Sequence, residues 1–354
     1  MSYNWQNTLV SAESELSEAL KIIDNEALRI ALVVDNEKKL VGVVTDGDIR
    51  RALLNQKPLS TKVSKIMNCS PVTASTASSR EELVAVMEEK GILSIPLVDD
   101  NNVVMGLETL QQGTKPTRKI PVFIMAGGFG TRLRPLTDTC PKPMLKIGDK
   151  PMLETLIRAF KRFGFVDFYI STHYMPEQIH EHLKDGQWLG VNVTYVHEEE
   201  PLGTGGALGL LPDNLPKDLP LIMINGDILT KTDFGRLLDF HVANKADATM
   251  CVREYEYQIP YGVVQGDGKK ISDLVEKPIQ KFFVNAGIYV LSPNVIQSVS
   301  KNTRIDMPSI LENFMESRDK VFMFPVHEYW LDIGRMEDFN RAQVDIHSLG
   351  LVGD

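Results

Sequence analysis

The sequence predicts an α/β protein in which a mixed, mostly parallel sheet follows a smaller α+β region. Three observations support this fold class. From Pro151 onward, helix and strand patterns alternate as they do when helices cover both faces of a parallel sheet. The chain before Gly113 repeats itself at a constant spacing. Between these regions, an apolar strand from Ile120 to Ala126 leads into a glycine-rich turn, and its lack of polar residues predicts burial on both faces.

Length and composition narrow the class of protein. The 354 residues, 43% of them hydrophobic, are enough for two or more cores. A formal net charge of −9 without a Lys/Arg run argues against nucleic-acid binding, which needs a basic face. No apolar stretch approaches the roughly 20 residues that span a bilayer, so no membrane partner is expected. Three cysteines without a pairing motif and a polar first segment predict a cytoplasmic protein.

The N-terminal repeat consists of an amphipathic helix, a strand, a turn and a second strand. Asp35 and Asp99 occupy matching turns, and Gly42 and Gly106 occupy matching strands, 64 residues apart in both cases. One copy is small, so the two copies are expected to share a core. The polar segment that ends at Lys119 is predicted to be a linker. The expected divisions are a repeat pair over 1–113 (copies about 8–60 and 72–113), a linker over 114–119 and a second domain over 120–354.

Within these regions the hydrophobic periodicity predicts individual elements. In the repeats we expect helices over 15–23 and 80–90. In the second domain we expect helices over 152–163 and 177–184, and strands over 167–171 and 192–196.

The repeat resembles a tandem pair of CBS domains, modules that commonly bind adenine nucleotides and report on them to an attached enzyme. In that family a glycine, a Thr or Ser and an aspartate at three-residue steps mark a ribose and phosphate site, matched in the first copy by Gly42, Thr45 and Asp48. The second copy has Gln112 in place of the aspartate. The resemblance therefore implies at most one well-formed site for an adenine or guanine nucleotide effector. A dimerisation or spacing module without a ligand is the alternative.

The glycine-rich turn has the composition of a phosphate-binding loop. Gly127, Gly128 and Gly130 let the backbone approach a polyphosphate with its N–H groups directed at it. Arg132 can form a fork onto phosphate oxygens, and Lys142 supplies a point charge between two prolines. The spacing matches neither a P-loop nor the dinucleotide fingerprint.

The run GGFGTRLRPLT, followed by PKPML, resembles the signature of the sugar-1-phosphate nucleotidyltransferases. The resemblance extends from about Lys119 to the C-terminus and implies a Rossmann-like nucleotidyltransferase domain. It also implies that Arg132 binds the triphosphate and that Lys142 steadies the reacting phosphates. The residues that it assigns to the nucleotide in this segment are Gly127, Gly128, Gly130 and Thr131.

Two acidic positions are candidates for a metal site. Asp227 follows a short apolar strand, where a carboxylate is costly unless a cation joins it, although a helix-capping role is the usual alternative. By the family resemblance, Asp227 and Asp332 hold Mg²⁺, a cation that prefers oxygen ligands.

The same resemblance implies a sugar site and a base-reading loop. Lys277 is expected to bind the phosphate of the sugar phosphate, Glu276 a sugar hydroxyl, and Asn285, Tyr261 and Gly262 the sugar ring. The base is expected at the loop EEEPLGTGGAL, whose own sequence would suit a plain acidic turn equally well. The residues concerned are Gly203, Thr204 and a carboxylate among Glu198, Glu199 and Glu200, with Glu200 taken as the site residue. That carboxylate would accept from guanine N1–H and N2–H₂, which predicts GTP as the nucleotide.

The expected reaction is in-line attack of a sugar 1-phosphate oxygen on the α-phosphorus of GTP, with release of pyrophosphate. The catalytic residues are expected to be Arg132, Lys142, Asp227 and Lys277. The joined architecture looks most like the CBS-bearing guanylyltransferases of bacterial legionaminic acid synthesis, which act on glucosamine 1-phosphate. Mannose 1-phosphate and a heptose 1-phosphate are the alternative sugars. A nucleotide-sensing protein with a decayed transferase half is the alternative class, and a homo-oligomer is expected.

Overall fold

The computed structural model describes residues 4–26, 28–110, 117–318 and 320–349. The chain divides into an N-terminal unit, Met1–Thr114, and a C-terminal unit, Lys115–Asp354. The predicted boundary at residue 113, the Gln112 position and the first half of the predicted linker lie outside the described residues. In the second half of that linker, the Arg118 N–H donates to Gly164 O in the C-terminal unit (2.7 Å).

The N-terminal unit contains two three-stranded sheets with the same pairing. Its elements are β1 (Leu9–Ser11), α1 (Leu16–Glu26), β2 (Ile30–Val34), β3 (Leu40–Thr45), α2 (Asp46–Leu54), β4 (Ala74–Ser75), α3 (Arg80–Lys90), β5 (Ser94–Val98) and β6 (Val104–Thr109). The orders β1-β2-β3 and β4-β5-β6 each combine one parallel and one antiparallel pair. Val33 pairs with Gly42 and Leu97 with Gly106, so the sequence repeat is also a repeat of strand register.

The two copies share a core, as expected for units of this size. Ile30, Leu32 and Leu40 of the first copy form one buried cluster with Val104 and Leu107 of the second. A backbone hydrogen bond also joins the two copies: the Leu40 N–H donates to Asn102 O at 2.9 Å. The α+β pair is therefore one folded body rather than two.

The C-terminal unit is built around one seven-stranded sheet and has further strands outside it. Its strands are β7 (Val122–Met125), β8 (Lys146–Ile147), β9 (Lys150–Pro151), β10 (Asp167–Thr172), β11 (Asn192–His197), β12 (Leu221–Asn225), β13 (Ile228–Thr230), β14 (Ala248–Gln258), β15 (Val263–Asp267), β16 (Lys270–Val275), β17 (Ile279–Leu291), β18 (Val321–Pro325) and β19 (Trp330–Asp332). Its helices are α4 (Met152–Lys161), α5 (Pro176–Leu183), α6 (Gly203–Gly206), α7 (Phe234–Ala243), α8 (Pro293–Gln297), α9 (Met307–Arg318) and α10 (Met336–Ser348).

The sheet has the order β11-β10-β7-β12-β17-β14-β18, and only β17 among these seven runs against the others. The central strand β7 is buried on both faces, as its apolar run predicts: Val122 and Ile124 belong to one core and Phe123 to the other. The mixed, mostly parallel α/β fold is thereby confirmed. Helix α4 packs onto the first core through Phe160, whose ring stacks on Phe234 of α7 at 3.6 Å between centroids.

The largest departure from the expected elements lies around β17. The apolar pattern of NAGIYVL, which indicates a strand, begins at Asn285, whereas β17 begins at Ile279 and pairs with β14 as far as Gln258. The first half of β17 therefore leaves the sheet as a two-stranded ribbon, which continues into the hairpin β15–β16. Both hairpin strands are almost wholly exposed, so no one-sided burial pattern marks them in the sequence. Among the described residues no helix combines the length and apolar character needed to cross a bilayer.

Candidate active site

A cavity of about 270 Å³ opens where β7 and β12 end at their carboxyl termini. Ligands of parallel α/β sheets bind beyond this edge, because the loops after the strands diverge there. Of the residues predicted to bind the nucleotide, Gly127, Gly128, Gly203 and Thr204 line the cavity, together with Lys142 and Asp227. The structure thus brings together motifs that are 100 residues apart in the sequence.

The remaining predicted nucleotide residues lie beside this cavity rather than in its wall. Gly130 precedes a short 3₁₀ turn with φ of +62°, and a Cβ there would come within 2.9 Å of Lys142 Cβ. Thr131 is exposed on that turn. The backbone conformation and the close approach of Lys142 both require a glycine at position 130, so Gly130 helps to set the shape of the loop.

Of the three candidate glutamates, Glu198 lines the cavity, whereas the residue chosen from the sequence, Glu200, is exposed and does not line it. Glu198 is only 6% exposed. Its Oε2 accepts from the Leu202 N–H at 3.1 Å, and its Oε1 lies 3.0 Å from where a Cβ on Gly127 would be. Three consecutive glutamates look alike in sequence; the turn after β11 decides which one faces inward.

Lys142 and Asp227 form the charged centre of this cavity. Lys142 is buried in a 3₁₀ turn between prolines, and its Nζ donates to Asp227 Oδ2. The second oxygen, Asp227 Oδ1, is buried without a hydrogen-bond partner among the described residues. A buried carboxylate oxygen without a partner is costly and is suited to a cation.

Asp332 reaches Asp227 through strand pairing. Strand β13 pairs with β19 so that Ile228 is opposite Asp332, and the Ile333 N–H donates to Asp227 O at 3.0 Å. The Asp332 side chain keeps an exposed face, yet partial burial and then the neighbouring Asp227 charge raise the pKa of its carboxyl. Lys142 and Arg132 act on that pKa in the opposite direction. A carboxylate whose charge is disfavoured by a neighbouring carboxylate with an unpartnered buried oxygen fits a divalent cation.

A second cavity of about 380 Å³ adjoins the first and shares Thr204 and Asn225 with it. Its wall includes the predicted residues Asn285 and Asp332. Asn285 donates through Nδ2 to Tyr289 Oη at 2.6 Å, and burial of Tyr289 raises the pKa of its phenol. Tyr289, Trp330 and Asp306 also line this cavity, and sequence reasoning missed all three. The first two stand in the motifs NAGIYVL and YWLDIG, four and two residues from the assigned positions.

The other predicted sugar residues lie in the exposed turns that connect the ribbon with the hairpin β15–β16. Tyr261 is 75% exposed, and Gly262, Glu276 and Lys277 are exposed as well. Glu276 Oε2 lies 3.0 Å from where a Cβ on Gly262 would be, so these two positions do meet. None of the four lines either of the two cavities.

In the N-terminal unit, the predicted ligand residues form the cap of a helix. Thr45 is the N-cap of α2, and Asp48 Oδ2 accepts from the Thr45 N–H (2.8 Å) and Oγ1 (2.6 Å). Asp48 Oδ1 accepts from Arg51 at 2.5 Å. Both oxygens of Asp48 are therefore engaged within the first turns of α2, and a ribose would have to compete with these contacts.

Comparison with known proteins agrees with this architecture. Residues 121–348, more than half of the chain, match the model of the nucleotidyl transferase family. The chain belongs to the nucleotidyl transferase family. Residues 7–55 and 63–107 each match the CBS domain, so the N-terminal repeat is a CBS pair.

Relatives of this nucleotidyl transferase include enzymes named for mannose 1-phosphate. It is 38% identical over 225 residues to the mannose-1-phosphate guanyltransferase of Yarrowia lipolytica, covering 61% of each chain. It is 37% identical over 232 residues to that of Saccharomyces cerevisiae, covering 63% of each. The chain thus matches about three fifths of the length of these relatives.

Solved structures resemble the C-terminal unit. HddC from Yersinia pseudotuberculosis complexed with GMP-PN superimposes with a TM-score of 0.51 at 28% identity, covering 64% of this chain and 99% of that one. A putative glucose-1-phosphate thymidylyltransferase from Bacillus anthracis gives a TM-score of 0.51 at 25% identity, covering 64% and 94%.

Proposed function

We propose that this nucleotidyl transferase is a sugar-1-phosphate guanylyltransferase. An oxygen of the sugar 1-phosphate forms a bond to the α-phosphorus of GTP, the bond from that phosphorus to the α,β-bridging oxygen breaks, and pyrophosphate leaves with its electron pair. The attacking oxygen is already an anion, so no general base is required. The observation that carries the proposal is the group Lys142, Asp227 and Asp332, of which the first two line the glycine-lined cavity and the third lines the adjoining one.

The residues of the chain supply position and charge. Backbone N–H groups around Gly127 and Gly128 approach the phosphates. Lys142, in the wall of the same cavity, neutralises charge on the reacting phosphates. Arg132 lies close enough to Asp332 to lower its pKa, so it can reach phosphate oxygens on the same side. Lys277, in the exposed turn between β16 and β17, is proposed to hold the sugar phosphate.

Asp227 and Asp332 are the residues that would hold Mg²⁺. The free buried oxygen of Asp227 and the raised pKa of Asp332 support this assignment. When bound, a divalent cation supplies neutralisation of phosphate charge. Lys142 offsets part of the Asp227 charge through its contact with Oδ2.

Guanine is the proposed base. Glu198 lines the nucleotide cavity, and a carboxylate can accept from both N1–H and N2–H₂ of guanine, a pair that adenine does not offer. The names of the guanyltransferase relatives and the GMP-PN bound by HddC point in the same direction.

Two sugars are proposed. The relatives named above favour mannose 1-phosphate. The resemblance to CBS-bearing enzymes of legionaminic acid synthesis favours glucosamine 1-phosphate. We further propose that an adenine or guanine nucleotide regulates the enzyme at Thr45 and Asp48.

The test is a coupled pyrophosphate assay of the full chain with GTP, ATP, UTP or dTTP against glucosamine, mannose and glucose 1-phosphates. We expect turnover with GTP and one of the first two sugars. Absence of pyrophosphate release with every pair would overturn the proposal, and comparable rates with UTP would overturn the base assignment. Adding AMP or ATP to the GTP reaction, for the native chain and for Asp48→Asn, tests the regulatory site.

A further inference from the structure

Two segments that are distant in sequence are locked together between the two cavities. The turn at the start of α6 and the turn before α9 exchange backbone hydrogen bonds: the Ile305 N–H donates to Leu202 O, and the Gly205 N–H donates to Ile305 O, both at 2.9 Å. The first turn carries the predicted base-reading residues. The second has no assigned role and lies 100 residues later in the chain.

Asp306 is the side chain at the centre of this contact. Its Oδ1 accepts from the Thr204 N–H at 2.8 Å and from the Thr204 hydroxyl at 3.2 Å. The Thr204 hydroxyl in turn accepts from the Met307 N–H at 3.0 Å. Gly203 has φ of +78°, and a Cβ there would lie 2.7 Å from Asp306 Oδ1, so this contact needs a glycine.

The position of this contact distinguishes it from an ordinary turn. Thr204 lines both the nucleotide cavity and the second cavity, while Asp306 lines only the second. The shared wall is completed by Asn225, whose buried Oδ1 has no partner among the described residues. A change in either cavity that moves Thr204 must therefore move Asp306, and the reverse.

We propose that Asp306 is a positioning residue that couples the two substrate sites through Thr204. A nucleotide that orders the Thr204 turn also orders the wall of the sugar cavity, so each substrate binds more tightly once the other is present. This inference rests on the proposed function, because it takes GTP and a sugar 1-phosphate as the two ligands. Thermodynamic linkage requires that this coupling be reciprocal, so the sugar phosphate tightens the nucleotide by the same factor.

The test compares sugar phosphate binding with and without a nucleotide that cannot react. The dissociation constant of glucosamine or mannose 1-phosphate, whichever the native chain turns over, is measured with and without guanosine 5′-(α,β-methylene)triphosphate and Mg²⁺. For the native chain we expect at least a roughly fivefold tighter sugar phosphate when the nucleotide is present. In Asp306→Ala the ratio should fall to about one, whereas a merely structural loss would weaken both affinities and preserve the ratio.

Asp306→Asn is the matched variant, because an amide oxygen can still accept from the Thr204 N–H. It should keep most of the ratio and a near-native circular dichroism spectrum, so it remains informative if Asp306→Ala does not fold. A native ratio of one, or a ratio unchanged in Asp306→Ala, would overturn the coupling. Loss of the ratio in Asp306→Asn would assign the effect to charge and overturn the hydrogen-bond account. A native chain without any turnover would instead refute the proposed function.

Discussion

His241 provides a sharp test of the electrostatics of the C-terminal unit. It lies on α7 at 2% exposure, with Nε2 3.0 Å from Ser292 Oγ and Nδ1 3.0 Å from Thr249 Oγ1. Ser292 uses its proton to donate to Ala246 O at 2.7 Å, so it accepts from Nε2–H. Nδ1 of the neutral ring then accepts from the Thr249 hydroxyl. Protonation of the imidazole would add an N–H at Nδ1, where the Thr249 hydroxyl already donates.

The magnitude follows from the pKa. Burial lowers the pKa of His241 from 6.5 to about 4, against a weaker opposing effect of the Asp247 charge. Between these values the unfolded chain binds a proton at this position and the folded chain does not. The contribution of a neutral His241 is therefore complete above pH 6.5 and is lost as the pH falls towards 4. Integration over this window gives about 3 kcal/mol of unfolding free energy.

The assay is urea unfolding between pH 7 and pH 4.5, in a Trp5→Phe background, so that fluorescence reports on Trp188 and Trp330 of the C-terminal unit. His241→Gln keeps a donor and an acceptor but cannot titrate in this range. We expect it to lose clearly less stability on acidification than the parent does. His347→Gln, at an exposed position of α10, controls for loss of one titratable group from the unfolded chain. Equal acid dependence in parent and His241→Gln would refute the reasoning.

Three further predictions concern the site. Asp227→Asn should lower pyrophosphate release at least about 1,000-fold with an unchanged melting temperature, because it weakens the cation site; near-native turnover would contradict the metal assignment. Gly128→Ala should leave stability unchanged and raise the KM for GTP, since a Cβ there meets nothing within 4 Å of protein, whereas Gly130→Ala should cost at least about 1–2 kcal/mol in urea unfolding. Equal stability of these two variants would refute the steric account. Glu198→Gln should raise the KM for GTP about tenfold through loss of a charge-assisted contact, and unchanged discrimination between GTP and ATP in steady-state kinetics would exclude it as the base reader.

Local patterns predicted the parts of the fold that local forces determine. The apolar run that forms β7, and the periodicity that forms α4, sufficed because each element buries its own stripe or face. Strand pairing at distance was not accessible in this way. Nothing near Asp227 indicates that β13 will pair with β19 and bring Asp332 beside it; the family signature supplied that pair.

The sequence also did not indicate which of several neighbouring residues faces the cavity. Glu198 and Glu200 both follow β11, and the conformation of the turn there places only Glu198 in the cavity wall. Asp306 carries no motif at all, since its contact with Thr204 depends on how two turns 102 residues apart pack. The roles of four predicted sugar residues remain predictions, because their turns lie beyond the sheet and neither cavity includes them: Tyr261, Gly262, Glu276 and Lys277.

The single antiparallel strand of the sheet explains why two cavities can adjoin. Parallel strands present only their carboxyl ends to the binding edge, and β7 and β12 use theirs for the nucleotide cavity. Because β17 runs the other way, Ile224 pairs with Ile288, and the segment Asn285–Gly287 that precedes it lies beside the end of β12. Asn225 therefore borders both cavities. Had β17 run in the common direction, Asn285 would have lain at the opposite edge, so the reversal gives the nucleotide cavity a neighbour from which the proposed sugar phosphate can approach it.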